Sequence, residues 1–548
     1  MGQIAKLYLV YLIFFQLLVN NHAFSKTIVI SPTEDQTVII ENNQASPINP
    51  GDTVYLTSGR YKQLLIRNIN GSKESPIVIT NKGGVVKISD GPNYGVSMRN
   101  SSYIIFEGSP SLEKPIQIFN ITNGNGISVE DRSSDITIRN IEINNVSKSG
   151  IMAKSDPTCN LNSPDRNNFK LENLIITNCL IFNTGDEGIY VGSAFYSGQR
   201  LNCNGQPITK LPHIIENVEI SYNTIHSTGK DALQVSSTPV NCKVHNNRIY
   251  NDSVNEILNQ MTGILIGGGC KCEIYNNLLA DGKGSGIEIL GKPGSLIFNN
   301  IIHNAGITFL PNLPPNNFPK HGIYVNNVLN EPDFHIHIFN NTIINTKTNG
   351  ITLDSKLNTP SAIKNNIIIN PGAFPLTRNR SFIFSNFDQK SVTLLSNLLT
   401  LSENDLFDNL SEFMFYPAIN SPQINSGTNI DFFSFDFDFY NKLRPKNGKI
   451  DIGAVEFQED VIISRENLHI KIFPNPTSDF TSIEIEQSEE NPIEIEIINS
   501  LGQSIRGPFY FKDSFVNYTI NIQDLRGGIY IILVKSQHGK TSKVLIKK

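Results

Sequence analysis

The feature that most constrains this chain is a four-residue pattern, Gly-Ile-x-Val, that recurs between residues 126 and 353. Copies or close variants begin at Gly126, Gly150, Gly188, Ala232, Gly263, Gly286, Gly322 and Gly350. The closest copies start 23 and 24 residues apart, and a repeat of this length is typical of a solenoid, in which each copy stacks on the next. With 548 residues, the chain is also too long for one ordinary globular core.

The aligned copies form columns of uniform chemistry. The residue after the glycine is always Ile or Leu, at Ile127, Ile151, Ile189, Leu233, Ile264, Ile287, Ile323 and Ile351. The residue two positions later is aliphatic as well, and the residue between them varies freely, as expected of an outward position in a strand. No amphipathic segment supplies the helix that a leucine-rich horseshoe needs. We therefore predict an all-β parallel β-helix with two aliphatic columns inside.

A second motif lies between these strands and places Asn in one column. Its members are Asn223, Asn247, Asn277, Asn300, Asn341 and Asn366. Stacked Asn side chains at a bend can hydrogen-bond along the column and satisfy polar groups that a tight corner would leave unpaired. We therefore predict a bend at this motif in every coil.

The six cysteines fit the same repeat. Cys242 and Cys272 should face one another on neighbouring coils about 4.8 Å apart, within reach of a disulfide, although Cys270 is a competing partner. Cys159 and Cys203 lie in two long insertions on the same edge, which makes a bridge between loops plausible. Cys179 occupies the Asn column and is expected to be a buried thiol. A metal site of cysteines is disfavoured, because no His has suitable spacing.

The two ends of the chain differ from the repeat. Lys6, the apolar run 7–19 and Ala23-Phe24-Ser25 predict a signal peptide over residues 1–25. No later segment has the apolar length of a membrane helix, so we expect a soluble mature protein. We assign 26–373 to the β-helix, 374–457 to its last coils and a cap over the exposed edge, and 458–467 to a linker. Alternating strands over 468–548 predict a small antiparallel β-sandwich.

The last region resembles the C-terminal sorting domain of the type IX secretion system of Bacteroidetes. The resemblance rests on the Pro474-Asn475-Pro476 turn, the Leu501-Gly502-Gln503 turn, the strand from Gly527 to Tyr530 and the Lys-rich end, in that order. It implies export across the outer membrane by the type IX machinery. The protein would then be secreted or held at the cell surface.

Residues 51–370 resemble the right-handed parallel β-helix repeat proteins, a superfamily that includes polysaccharide lyases, epimerases and glycosidases. The resemblance predicts the fold much better than the reaction. A net charge of -5 provides no basic surface for nucleic acid, so we do not expect that partner. The resemblance implies a polysaccharide or glycan partner instead. The protein is expected to be a monomer.

Charged residues collect just before three consecutive glycine-type strands. Asp186 and Glu187 precede Gly188, Lys230 and Asp231 precede the next strand, and Lys148 precedes the one before. Carboxylates about 5 Å apart repel by roughly 3 kcal/mol at an effective dielectric near 20, so a lysine or a cation must compensate. We predict that Asp186, Glu187 and Asp231 bind calcium, whose preferred ligands are oxygens.

In a lyase, such a calcium ion would neutralise a uronate carboxylate while a base removes the neighbouring proton. We predict Lys230 as this base and Lys148 as a substrate-binding residue. The alternative is that these charges form a solvated ladder without function, as exposed charges often do. The insertions 154–171 and 193–213 follow the same strands and could wall the cluster, which favours a site.

A second group of candidates precedes and follows Gly322. Lys320 and His321 lie beside the insertion 305–319, and His321 could act as an acid, a base or a ligand. Tyr190 and Tyr324 are predicted to point outward, where they could stack on sugar rings. Each has a plain alternative as an ordinary surface side chain. The leading hypothesis is a calcium-assisted uronate polysaccharide lyase, and the alternative is a non-catalytic glycan-binding or adhesin-like surface protein.

Overall fold

The computed structural model describes residues 25–548 apart from 33, 45, 307–317, 374–379, 410–413, 431–435, 447, 459–468, 487–491, 500–503, 514, 526, 537–538 and 548. The predicted signal peptide, the linker and most of the insertion 305–319 therefore lie outside the described residues. The chain forms two compact units. The first comprises Met1–Glu403, Asn425–Pro445 and Lys449–Ala454, and the second comprises Asn404–Ile424, Lys446–Gly448 and Val455–Lys548.

One face of the first unit is a 12-stranded parallel sheet, called the front sheet, which includes every Gly-Ile-x-Val copy. Its strands are Thr37–Glu41, Gln63–Arg67, Tyr94–Arg99, Asn125–Glu130, Ile151–Ala153, Ile189–Val191, Leu233–Val235, Thr262–Ile266, Ser285–Ile289, Ile323–Val325, Ile351–Leu353 and Ile383–Ser385. Neighbouring strands pair in register, so Ile189 lies between Ile151 and Leu233. This register confirms the predicted stacking of the repeats.

The rest of each coil belongs to a 23-stranded sheet. We call it the bent sheet, since the chain turns at the Asn motif in most coils. Before the bend its strands are Thr27–Ile30, Thr53–Tyr61, Ile77–Ser89, Ser102–Glu107, Ser134–Arg139, Lys170–Thr177, Ile214–Ser221, Val240–His245, Cys272–Tyr275, Ser295–Phe298, Ile336–Phe339, Ser361–Lys364 and Val392–Leu395. After the bend they are Ile116–Ile121, Ile141–Val146, Leu180–Thr184, Thr224–Thr228, Arg248–Tyr250, Leu278–Ala280, Ile301–His303, Thr342–Ile344, Ile367–Ile369 and Leu398–Thr400. Each coil thus contributes strands to both sheets.

The space between the front sheet and the bent sheet is filled by aliphatic side chains. All eight residues of the first predicted column, from Ile127 to Ile351, are completely buried. They belong to one continuous core that runs from Val38 to Ile368. The glycine before each pair permits close packing, since a Cβ on Gly188 would lie 2.5 Å from Ile225 Cγ2 and 2.6 Å from the Ala232 carbonyl oxygen. Burial of this apolar surface is the main stabilising contribution to the fold.

The Asn column forms the predicted ladder at the bend. Asn247 Nδ2 donates to Asn277 Oδ1 at 3.0 Å, and Asn277 Nδ2 donates to Asn300 Oδ1 at 2.9 Å. The same amides donate to carbonyl oxygens of the coil before, as Asn277 does to Val244 at 2.9 Å. Cys179 takes the Asn position in its coil, and its N–H donates to Asn223 Oδ1 at 2.9 Å. The ladder satisfies polar groups that are wholly buried.

Two disulfides connect the cysteines as the repeat predicted. Cys242 pairs with Cys272 on the next coil, with Cα atoms 4.5 Å apart, and Cys159 pairs with Cys203 between the two insertions. Cys270, the competing partner, is a buried free thiol, as is Cys179. The second insertion, residues 193–213, also contains an antiparallel hairpin of strands Gln199–Cys203 and Gln206–Lys210.

The segment after the regular repeat contributes a last coil, which ends at Thr400. The described residues of Asn425–Pro445 and Lys449–Ala454, which belong to the same unit, lie along the side of the bent sheet. Asn299 Nδ2 donates to the Phe437 carbonyl at 3.0 Å, and Asn340 Nδ2 donates to the Asp451 carbonyl at 2.9 Å. This part of the predicted cap therefore contacts successive bends of the β-helix.

The second unit contains the predicted antiparallel β-sandwich. One sheet has strands His469–Phe473, Phe480–Glu486 and Phe515–Asn521, and the other has strands Ile493–Asn499, Ser504–Phe511, Gly528–Ser536 and Gly539–Lys547. Side chains of both sheets share one core. A short hairpin of Phe407–Asn409 and Met414–Pro417 belongs to the same unit. The Leu501-Gly502-Gln503 turn lies outside the described residues.

Among the described residues of the whole chain, no helix is long and apolar enough to cross a membrane.

Candidate functional site

The turn before each front strand and the strand itself bring polar side chains onto the outer face of the front sheet. In two coils the side chain before the glycine contacts the outward residue of the same strand. Asn125 Nδ2 donates to Ser128 Oγ, and Asn349 Nδ2 donates to Thr352 Oγ1, both at 3.0 Å. The residue before the glycine and the outward residue of the strand therefore share one face in these coils.

Of the compensating groups that the charge pattern left open, the structure shows Lys230, which forms an ion pair with Asp186. Lys230 Nζ lies 2.8 Å from Asp186 Oδ1, and both side chains are partly exposed. Burial lowers the pKa of Lys230, but the hydrogen bond to Asp186 and the charges of Glu187, Asp186 and Asp231 together raise it above its ordinary value. The ion pair therefore keeps Lys230 protonated, which does not favour the predicted role as a base. The role itself stays a prediction.

Glu187 is buried beside this pair, whereas Lys148 is exposed one coil earlier. Ser149 Oγ donates to Glu187 Oε2 at 2.9 Å, which satisfies one carboxylate oxygen. Glu187 therefore has a structural partner on the neighbouring coil. The predicted role of Lys148 in binding substrate stays a prediction.

Asp231 has the least satisfied side chain on the face. It is completely buried, and neither Oδ1 nor Oδ2 has a hydrogen-bond partner among the described residues. Burial raises the pKa of Asp231 well above its ordinary value, and the charges of Glu288, Glu187 and Asp252 raise it further. A carboxyl in this setting strongly favours the protonated form. A buried group without partners is costly and often marks a functional site.

Lys320 completes a group that the charge pattern before Gly188 and Ala232 did not reveal. Its side chain is buried, and in the described part of the chain no carboxylate lies within ion-pair distance of its ammonium group. Burial lowers its pKa, although the charges of Glu288, Asp231, Asp252 and Glu256 oppose this effect. The surroundings of Lys320 therefore favour its neutral form, as do those of the neighbouring buried Lys347, whose pKa burial and the charge of Lys320 lower to about 8.

Glu288 and Asp252 are the other carboxyls of this group. Glu288 is the outward residue of its front strand, and burial raises its pKa. Asp252 comes from the turn that precedes the loop 253–261, and burial raises its pKa to about 6. We call Glu187, Asp231, Asp252, Glu288 and Lys320 the front cluster. The aligned columns contained the signal for Glu288, whereas no pattern in the sequence could place Asp252 here.

His321 and Tyr324 form a second group beside the front cluster. His321 Nδ1 lies 3.0 Å from Thr352 Oγ1, and its ring stacks on Tyr324 with centroids 5.5 Å apart. Burial lowers the pKa of His321 to about 4, so its imidazole is neutral near pH 7. The Tyr324 hydroxyl donates to Asp354 Oδ2 at 2.6 Å. Both predicted residues therefore lie on the face, with Tyr324 only partly exposed.

Tyr190 lies on the other side of the front cluster and is also partly exposed. Lys154 Nζ lies 4.9 Å from the centroid of its ring, and the same ammonium pairs with Asp156 at 2.9 Å. The ring is therefore covered on one side by a cation rather than open to a sugar. Its predicted role in substrate binding stays a prediction.

The predicted calcium ligands fit a cation only in part. Asp231 has two oxygens without partners, but Asp186 pairs with Lys230 and Glu187 accepts a hydrogen bond from Ser149. Within the described residues, no group of three or more His, Cys, Asp or Glu side chains is arranged to hold a metal ion. Calcium binding stays a prediction, and the chemistry below is derived without it.

Comparison with known families identifies the two units. Residues 213–397 match the family model described as the right handed beta helix region, and residues 471–548 match the secretion system C-terminal sorting domain. Residues 213–397 are therefore similar to right-handed β-helix regions, and residues 471–548 are similar to C-terminal sorting domains of a secretion system. The sorting domain indicates export to the cell surface or into the medium. No curated protein matched the sequence.

Solved structures of several polysaccharide-active proteins are similar to the chain at low identity. An alginate lyase from Paenibacillus sp. is 14% identical over 68% of this chain and 99% of its own, with a TM-score of 0.35. The A-module of a mannuronan C-5 epimerase from Azotobacter vinelandii is 14% identical over 64% of this chain and 88% of its own, with a TM-score of 0.32. Likeness at this level does not identify the reaction.

Proposed function

We propose that the protein is an exported enzyme that cleaves a uronate-containing polysaccharide by β-elimination, and that the front cluster is its active site. The proposal depends on one observation above all. Asp231 is completely buried with two unpartnered oxygens, on the same face as a buried lysine that has no ion pair among the described residues. A stable fold gains nothing from such groups, because each buried unpaired polar group costs free energy.

The chemistry of elimination needs a base and an acid on one face. We assign Lys320 as the base that takes the proton from the carbon beside the uronate carboxyl. The electron pair of that C–H bond forms a C=C bond, and the C–O bond to the leaving sugar breaks. Asp231, which favours its protonated form, donates a proton to the leaving oxygen, and because this side chain is completely buried in the unliganded protein, the step requires that substrate binding exposes it. Burial favours the neutral amine of Lys320 and the protonated carboxyl of Asp231, which are the forms that these two roles require.

The position of the cluster also favours a polymeric substrate. The front sheet is a continuous face along which Tyr190, Glu288 and Tyr324 are all partly exposed. A long face of this kind can contact several units of one chain at once. Loops that rise from a rigid scaffold beside it, such as the disulfide-linked insertions, are the usual places where substrate sites are built.

The assay is the ultraviolet absorbance of unsaturated products, measured over a panel of uronic polymers with the full chain, with and without a chelator. Once a polymer is cleaved, Lys320→Met should lower kcat by about 10²–10⁴-fold, the usual contribution of a general base. Lys364→Met, on a bent-sheet strand, is the matched control and should leave the rate unchanged. Thermal unfolding of both variants separates lost chemistry from lost fold.

Two outcomes would count against the proposal. Failure to cleave any polymer, combined with retention on glycan arrays, would favour the alternative of a non-catalytic glycan-binding surface protein. Full activity of Lys320→Met together with inactivity of Lys230→Ala would return the base to Lys230, as the charge pattern of the sequence predicts. Loss of activity with the chelator would support the predicted calcium ion.

A further inference from the structure

A cleft lies beside Tyr190, where the front strands Tyr94–Arg99, Asn125–Glu130 and Ile151–Ala153 end. Its volume is about 590 Å³, and it is lined by the ends of front strands and by the first part of the insertion 154–171. This volume lies within the range of about 300–1,000 Å³ that is usual for small-molecule sites. Six of its thirteen lining residues are neutral and polar, namely Asn100, Ser155, Thr158, Asn160, Asn162 and Ser163, and five are charged.

The wall of the cleft is fixed by covalent and polar contacts. The Cys159–Cys203 disulfide ties the first insertion to the second. Lys210 Nζ donates to the Asn160 carbonyl at 2.9 Å, and Arg132 Nη2 donates to the Asn162 carbonyl at 3.0 Å. The two Asn residues are thus held through their backbones, which leaves their exposed side chains available to a ligand. Preorganisation of this kind reduces the entropy lost on binding.

The charges of the lining disfavour an anionic ligand. Three acidic residues, Glu130, Asp131 and Asp156, face two basic ones, Arg132 and Lys154. Both cations are already engaged: Lys154 pairs with Asp156 at 2.9 Å, and Arg132 donates to the Asn168 carbonyl at 2.8 Å as well as to Asn162. Since Arg132 contacts only neutral oxygens here and the three acidic and two basic residues sum to a net charge of −1, the lining favours a neutral ligand over a carboxylate or sulfate.

Amide and hydroxyl groups, by contrast, match the hydroxyls of a neutral sugar, since each can donate and accept. The cleft is also adjacent to the candidate active site, because Lys154 lines it and lies 4.9 Å from the ring of Tyr190 on the next coil. A single polysaccharide chain along the front sheet could therefore occupy the cleft and the front cluster together.

We propose that the cleft binds neutral, hydroxyl-rich sugar units of the polymer that the front cluster cleaves. The substrate is then a heteropolysaccharide in which neutral sugars accompany the uronic units. This inference rests on the proposed function for the identity of the polymer, but the binding it predicts is measurable without cleavage. Asn160 and Asn162 are the residues that it makes responsible for recognition.

The test uses the full chain with Lys320→Met, so that no ligand is cleaved. Calorimetry measures the affinity for manno-, gluco- and galacto-tetraoses and for tetramers of galacturonate and mannuronate, with and without Asn160→Ala plus Asn162→Ala. At least one neutral tetramer should bind, and the double substitution should weaken it by about tenfold, the effect of losing one to two hydrogen bonds. The affinity for the uronic tetramers should change less than twofold.

The inference is overturned if no neutral tetramer binds, or if the double substitution weakens uronic and neutral tetramers equally. Cleavage by the unmodified protein is scored separately. Retained cleavage without cleft binding refutes this inference alone. Cleft binding without cleavage of any polymer refutes the proposed enzymatic function and leaves a glycan-binding site.

Discussion

Asp252 offers a quantitative test of how the front cluster is held, because Asn can replace it almost atom for atom. Its side chain is buried, and its Oδ1 accepts hydrogen bonds from Ser253 Oγ at 2.7 Å and from the Gly284 N–H at 3.3 Å. Burial is the main cause that raises the pKa of this carboxyl from 3.8 to about 6. Asn keeps the accepting oxygen and removes the titration.

The sign of the effect follows from proton linkage. Because the folded pKa lies above the unfolded one, the folded state holds this proton more tightly, and stability falls as the pH rises from about 4 to about 6. A rise from 3.8 to about 6, at about 1.36 kcal/mol per pKa unit, corresponds to a full penalty of about 3 kcal/mol above that range. Asp252→Asn should remove this penalty at pH 8 and leave stability at pH 4 nearly unchanged.

The assay is urea-induced unfolding of the unmodified and substituted proteins at pH 4 and pH 8. The expected result is a gain in the free energy of unfolding of up to about 3 kcal/mol at pH 8 alone. Asp388→Asn is the control, since Asp388 is 76% exposed and its substitution should change stability by less than about 0.5 kcal/mol. A loss of stability at both pH values in Asp252→Asn would show that the carboxylate is stabilised rather than penalised in its site.

Three further predictions concern the scaffold. Burial raises the pKa of the Cys179 thiol to about 11 and that of Cys270 to about 12. A thiol reagent at pH 8 should therefore label neither cysteine in the folded protein and both after unfolding. Rapid labelling of the native state would contradict their burial. Asn277→Ala should lower the free energy of unfolding by at least about 2 kcal/mol, because it leaves polar groups of the Asn ladder unpaired. Asn144→Ala, at a partly exposed position, is the control and should lower it by less than about 0.5 kcal/mol. Equal unfolding curves for the two variants would show that the ladder does not stabilise the fold. Ile264→Ala should cost about 2–5 kcal/mol in the same assay, and a cost near zero would contradict a tightly packed interior at that position.

The fold could be predicted from the sequence because a solenoid turns a repeat into a column. Each coil lies directly on the last, so residues that align in sequence also align in space, as Ile189 does with Leu233. The same rule correctly predicted the Asn ladder and the disulfide between Cys242 and Cys272. The competition between Cys270 and its neighbour could not be resolved from spacing alone, because it depends on which side chain faces the next coil.

The candidate site was less predictable for the same physical reason. The pair of Lys230 and Asp186 lies on neighbouring coils, so the alignment revealed it. Lys320 and Glu288 act on Asp231 from more distant coils, and such reach depends on side-chain length and burial rather than on register. Asp252 enters through a loop that breaks the repeat. The aligned columns of the repeat identify residues that are neighbours on adjacent coils. Charge interactions between residues more than one coil apart can be found only from the three-dimensional structure.

The central claim is that the front cluster carries out the chemistry. A crystal structure of the Lys320→Met protein with an uncleaved oligosaccharide of the active polymer tests it most directly. We expect the bridging oxygen of one glycosidic bond to lie within about 2.6–3.2 Å of a carboxyl oxygen of Asp231. An oligosaccharide bound elsewhere on the protein, with Asp231 still buried and without contact to it, would refute the assignment of the front cluster as the active site.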